Sequence, residues 1–71
     1  MYEYGECINS FVENLANGSI FETEQVAQAV AKKYGIELRH AKSVTNNQLK
    51  RLTDAGHIDR IQKGVYYKTS N

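Results

Sequence analysis

The chain has 71 residues, 41% hydrophobic and 24% charged, with a formal net charge of +1 and a single cysteine. That length holds one small domain, residues 1–71, near the size at which a single core is only marginally stabilising. Cys7 alone excludes an internal disulfide and a cysteine-based zinc site, and no apolar run approaches the ~18 residues of a membrane span or has the form of a signal segment. The expected location is cytoplasmic.

Tyr4, Ile8, Phe11, Val12 and Leu15 recur at helical spacing and predict a first helix, ended by Asn17-Gly18. Ser19-Ile20-Phe21-Glu22 reads as a short strand able to pair with a later hairpin. Thr23 is the expected N-cap of a second helix over about Glu24 to Tyr34, with Glu24 in the first turn and Lys32 and Lys33 in the last, as the helix dipole favours. Val26, Ala27, Val30, Ala31 and Tyr34 form its inner side, and Gly35 stops it.

Ile36-Glu37-Leu38 makes a connection anchored by two apolar side chains, longer than a tight helix-turn-helix turn. The third helix begins near Arg39 or His40 and ends at Ala55-Gly56. Advancing about 100° per residue, it gathers Ala41, Val44, Thr45, Gln48, Leu49, Leu52 and Ala55 on one side. Arg39, Ser43, Asn46, Asn47, Lys50 and Asp54 fall opposite, flanked by His40, Lys42 and Arg51. Asn prefers caps and turns to helix interiors, so Asn46-Asn47 mark either a break in this helix or residues kept to contact a partner.

After Gly56, His57 to Ile61 and Val65 to Lys68 read as two strands around the three-residue loop Gln62-Lys63-Gly64, with Gly64 where a G1-bulge hairpin needs a positive φ. A lone hairpin is unstable in water. Ile58, Ile61, Val65 and Tyr66 are therefore expected to dock on the helices. Tyr66 and Tyr67 alternate, so one belongs to the core. Thr69-Ser70-Asn71 reads as a frayed end. The order α-β-α-α-β-β, three helices with a small antiparallel sheet, is that of an α+β winged helix-turn-helix.

The modest net charge hides a polarity. Met1 to Ala31 carry five acids and no Lys or Arg, whereas Lys32 to Asn71 carry nine bases against Glu37, Asp54 and Asp59. An electropositive face on the helix-plus-hairpin half points to a polyanion, and double-stranded DNA is the expected partner. On the third helix, Ser43, Asn46 and Asn47 suit base edges, while Arg39, His40, Lys42, Lys50 and Arg51 supply donors and charge for phosphates or guanine. Lys63 at the hairpin tip, with Arg60 and Lys68 on its strands, would reach a flanking phosphate or the minor groove. A plain solvated helix face and a charged hairpin guarding an edge strand are the competing readings.

Chemistry points away from an enzyme. His40 and His57 lie far apart without ligand-spaced neighbours, Cys7 reads as a semi-buried small side chain, and the glycines punctuate element ends rather than cradle a phosphate. No metal, cofactor or small-molecule substrate is expected.

GSIFETEQVA (Gly18 to Ala27) and LKRLTDAGHIDRIQKGVYYK (Leu49 to Lys68) resemble the N-terminal winged-helix domain of the AbiEi-type antitoxins of prokaryotic type IV toxin–antitoxin systems. Leu49, Leu52, Gly56, Ile58, Arg60, Ile61, Lys63, Gly64, Val65 and Tyr66 occupy the pattern L-x-x-L-x-x-x-G-x-[IL]-x-R-[IV]-x-[RK]-G-[VI]-Y. The resemblance implies promoter binding with autoregulation by a transcriptional regulator. The larger C-terminal domain of those antitoxins has no counterpart in these residues, so toxin neutralisation does not carry over.

A single module of this kind buries about 600–1,000 Å² on DNA, too little for tight specific binding. A homodimer or an attached partner domain is therefore expected, with the acids and aromatic stripe of the first helix as the candidate surface. The alternatives are a winged-helix module docking an acidic protein and a phage- or plasmid-encoded inhibitor of a host factor.

Overall fold

A computed structural model describes residues 4–69. Its elements are α1 (Tyr4–Glu13), β1 (Ile20–Glu22), α2 (Thr23–Tyr34), α3 (Leu38–Asp54), β2 (Ile58–Gln62) and β3 (Val65–Lys68). The strands form one antiparallel sheet in the order β1-β3-β2, so the fold is α+β with the expected element order.

α1 turns Ile8 and Val12 into the core, and Tyr4, Cys7, Phe11 and Leu15 pack around them. The Tyr4 ring meets Tyr34 edge-on at 4.8 Å, and the Phe11 and Phe21 rings stand 6.5 Å apart. The aromatic stripe proposed as an oligomer surface thus faces the molecule's own interior, while Glu6, Ser10 and Glu13 are exposed. Gly5 lets α1 approach α3 closely, since a Cβ there would lie 3.3 Å from Gln48 Oε1.

α1 ends at Glu13, earlier than the Asn17-Gly18 stop. The carbonyls at and just past its end find a distant partner: Lys68 Nζ donates to Glu13 O at 2.9 Å and to Leu15 O at 2.8 Å. Gly18 instead extends the sheet, donating its N–H to Lys68 O at 2.7 Å.

α2 starts one residue before expectation, with Glu22 rather than Thr23 as its cap. Thr23 N–H donates to Gly64 O at 3.0 Å, continuing the β1–β3 pairing, and its side chain turns inward and is buried. The Gln25 side chain accepts from Glu22 N–H at 2.8 Å. Val26, Ala27 and Val30 are fully buried, and the helix closes on left-handed Gly35.

α3 begins at Leu38, capped by the extended Glu37. It runs unbroken through Asn46-Asn47, which removes the break at that pair. Ala41 and Leu49 are fully buried, and the burial of Leu49 outweighs the poor intrinsic preference of two asparagines, since burying one large aliphatic side chain contributes about 1.5–3 kcal/mol. Ala55 lies past the helix end and is exposed, and Leu38 is more exposed than an anchor residue would be. Ile36 does pack against the core.

β3 spans Val65–Lys68 as expected, whereas β2 is shifted by one residue. β2 starts at Ile58, and its ladder pairs Arg60 with Tyr66 but Gln62 with Val65, leaving Ile61 as a bulge and Lys63-Gly64 as the turn. Ile58 is buried as expected. Ile61, expected to dock, is 51% exposed: it lies three residues from the buried Ile58, and strand alternation puts it on the opposite face of the sheet.

On the inner face Tyr66 stacks on Phe21 with centroids 5.9 Å apart, and Tyr67 lies on the other face, its hydroxyl 3.4 Å from Asp59 Oδ2. Thr69 is not frayed: its hydroxyl lies 2.8 Å from Gly56 O and 2.9 Å from His57 O. Ser70 and Asn71 lie outside the described residues.

Candidate nucleic-acid interface

The sheet places the hairpin turn beside α3. Thr23 N–H holds the Gly64 carbonyl, β1 pairs Glu22 with Val65, and the Tyr66–Phe21 stack ties the inner face to the core. Between helix and hairpin opens a cleft of about 460 Å³ with Asn46, Lys50 and Asp54 on the α3 wall and Arg60 and Lys63 on the hairpin wall. A second opening of about 360 Å³ shares Asn46, Lys63 and Gly64, and adds Lys42, Glu22 and Glu24.

Arg39, His40, Lys42, Ser43, Asn46, Asn47, Lys50, Arg51, Arg60 and Lys63 are all exposed, but they do not share one face. Thr45 points straight into the core, and at about 100° per residue Ser43 and Asn47 form the crest nearly opposite it. Lys42, Asn46 and Lys50 turn toward the hairpin. His40 and Arg51 fall on the flank that Gln48 presents to α1. There Gln48 Nε2 donates to Asn9 Oδ1 at 2.9 Å, and the His40 ring sits 6.0 Å from Tyr4. Lys68, grouped with Arg60 and Lys63 from sequence, is held against the end of α1.

The cations also differ in company. Arg39 Nε lies 2.8 Å from Glu37 Oε2, and Lys42 Nζ lies 3.9 Å from Glu24 Oε1. Those are the ion pairs resolved among the described residues, and Lys50, Arg51, Arg60 and Lys63 enter neither. Arg60 Nε instead leans toward Gln62 O at 3.4 Å. An exposed cation without a fixed partner keeps its charge available to an approaching polyanion.

Sequence reasoning missed Thr53 and Tyr66 as cleft walls and the acids Glu22 and Glu24 at its second opening. The signal for those acids is the β1–β3 register, a long-range pairing that helix periodicity does not carry. Among the described residues no three His, Cys, Asp or Glu side chains are grouped to hold a metal ion, and no helix is long and apolar enough to cross a membrane.

No family model, no curated protein and no solved structure matches this chain.

Proposed function

We propose that the chain is a winged helix-turn-helix that binds double-stranded DNA, with α3 in the major groove and the β2–β3 hairpin on the adjacent backbone, and that it acts as a transcriptional regulator. The observation that carries this reading is the cleft in which Asn46 and Lys50 face Arg60 and Lys63. It combines an amide able to pair two-pronged with adenine and cations able to neutralise phosphates. An α-helix with its side chains is about 10–12 Å across and a major groove about 12 Å wide, so the crest of Ser43 and Asn47 can enter with Asn46 beside it.

The antitoxin-like motif adds less than its length suggests. Leu49 and Ile58 are buried and Gly56 and Gly64 take positive φ, uses that any module of this architecture would need. Autorepression therefore rests on resemblance alone. Docking on an acidic protein is the second reading, favoured by the exposed Ile61 on the hairpin.

Selection from a random duplex pool, followed by retardation of the winning sequence at several salt concentrations, tests the proposal. Log K should fall with log salt at about −0.9 per phosphate neutralised, and Asn46→Ala should relax preference at one position, by about 1–3 kcal/mol. A selected motif with dyad symmetry would establish binding as paired copies. Failure to retard any duplex at tens of micromolar protein in low salt sinks the reading.

A further inference from the structure

We infer that Glu22 and Glu24 bar the nucleic-acid backbone from the α2 end of the cleft, so that phosphates are taken only at the Lys50–Arg60–Lys63 end; the inference rests on the duplex-binding reading above. Asn46, Lys63 and Gly64 border both openings, so the two adjoin, and their outer ends are differently charged. At one end three cations face Asp54 alone. At the other, Lys42 and the shared Lys63 face two carboxylates, and Lys42 already stands 3.9 Å from Glu24.

The same grading runs along α3. Arg39 and Lys42, toward its start, each have an acid neighbour, whereas Lys50 and Arg51, toward its end, have no ion pair among the described residues.

A helix N-terminus ordinarily favours an anion, because its first N–H groups point outward unpaired. The start of α2 is already occupied. Glu22 N–H is taken by the Gln25 side chain, Thr23 N–H by Gly64 O, and two carboxylates stand where a phosphate would approach. Like charges at the rim of a cleft repel a polyanion and suppress misplaced binding modes. The acids thus fix which of the two openings holds the backbone, and Asn46 becomes the base-reading side chain nearest the phosphate clamp.

Both carboxylates are exposed, so removing their charge leaves the core untouched. The test measures retardation of one selected duplex and one unrelated duplex at several salt concentrations, with circular dichroism confirming that each variant is folded. The double variant Glu22→Gln, Glu24→Gln should bind both duplexes about tenfold more tightly at low salt, with the gain shrinking as salt rises. Lys50→Ala should lower the salt slope by about one, while Lys42→Ala should change affinity much less.

Unchanged or weaker binding by the double variant overturns the inference, as does a loss with Lys42→Ala equal to that with Lys50→Ala. In either case wild-type binding, and with it the duplex-binding reading, still stands. A wild-type chain that retards no duplex removes the reading and this inference together.

Discussion

The two ends of the β2–β3 hairpin carry the same kinds of residue and put them to opposite uses. At its base Ile58 is fully buried, Lys68 Nζ donates to two carbonyls at the end of α1, Gly18 N–H meets Lys68 O, and Thr69 bonds back to Gly56 and His57. At its tip Ile61, Gln62 and Lys63 are exposed, and Thr23 N–H donates to Gly64 O at the start of α2. Lys68 and Lys63 are indistinguishable by type and close in sequence. Their roles diverge because one stands within reach of unpaired helix carbonyls and the other stands over an open cleft. Position relative to the helix ends, rather than charge, separates a lysine that holds the fold from one free to meet a ligand.

The strongest way to break this contrast is to cut the base. Ile58→Ala should destabilise the domain by about 2–5 kcal/mol, the range for truncating a fully buried isoleucine. A domain of this size has little more stability than that in total, so thermal unfolding should show a melting point lowered by tens of degrees or no folded population. A loss below about 1 kcal/mol would mean that the hairpin base is not seated on the core as described.

Lys68→Met comes next, removing the ammonium while keeping an apolar stem. Hydrogen bonds from a charged donor contribute about 1.5–3 kcal/mol, and part-exposure of this pair places the expected loss near the lower end. Hydrogen exchange should quicken at the end of α1, where Asn14 N–H donates to Ser10 O, with duplex affinity unchanged under folded conditions. Weakened DNA binding at unchanged stability would place Lys68 in the interface and end the contrast.

The same divide governs what was legible in the sequence. The helices, the short Ile20–Glu22 strand and the buried Leu49 and Ile58 follow from local periodicity and spacing, and the element order follows from them. What escaped depended on partners far along the chain. The end of α1 is set by Lys68, 53 residues beyond Leu15, so Asn17-Gly18 looked like the stop. Thr23 looked like a cap until β1 pairing drew its N–H to Gly64 and turned its hydroxyl inward. The bulge at Ile61 carries Gln62 into β2 and shortens the hairpin loop by one residue, which no apolar pattern in IDRIQ announces. For the candidate site, exposure of all ten side chains was legible. Their division between cleft, crest and α1 flank was not, because the orientation of α3 comes from its packing against α1 and α2.

Gly64→Ala probes the tip with a smaller effect. Its φ of +77° lies in the left-handed region, and nothing stands within 4 Å of a Cβ built there, so the cost is backbone strain alone, about 1–2 kcal/mol. Urea unfolding should show that loss with an unchanged slope. Duplex affinity should fall further than stability alone explains, since the turn that aims Lys63 is the part displaced. Equal affinity at equal folded fraction would show that the tip's geometry does not matter to the ligand.

Lys63→Ala should have the smallest effect on folding and is the most discriminating of the four. The Lys63 side chain is exposed, enters no ion pair or hydrogen bond among the described residues, and lies at the end of the hairpin farthest from the buried Ile58. Surface substitutions of that kind change stability by less than about 0.5 kcal/mol. The same residue borders both openings of the cleft, so its loss should weaken every duplex by a similar factor and lower the salt slope by about one. The pair of measurements matters more than either alone. Lys68→Met should move the unfolding curve and leave the slope, and Lys63→Ala should move the slope and leave the unfolding curve. If both variants move both, the hairpin is a single cooperative element, and its tip is no freer to serve a partner than its base.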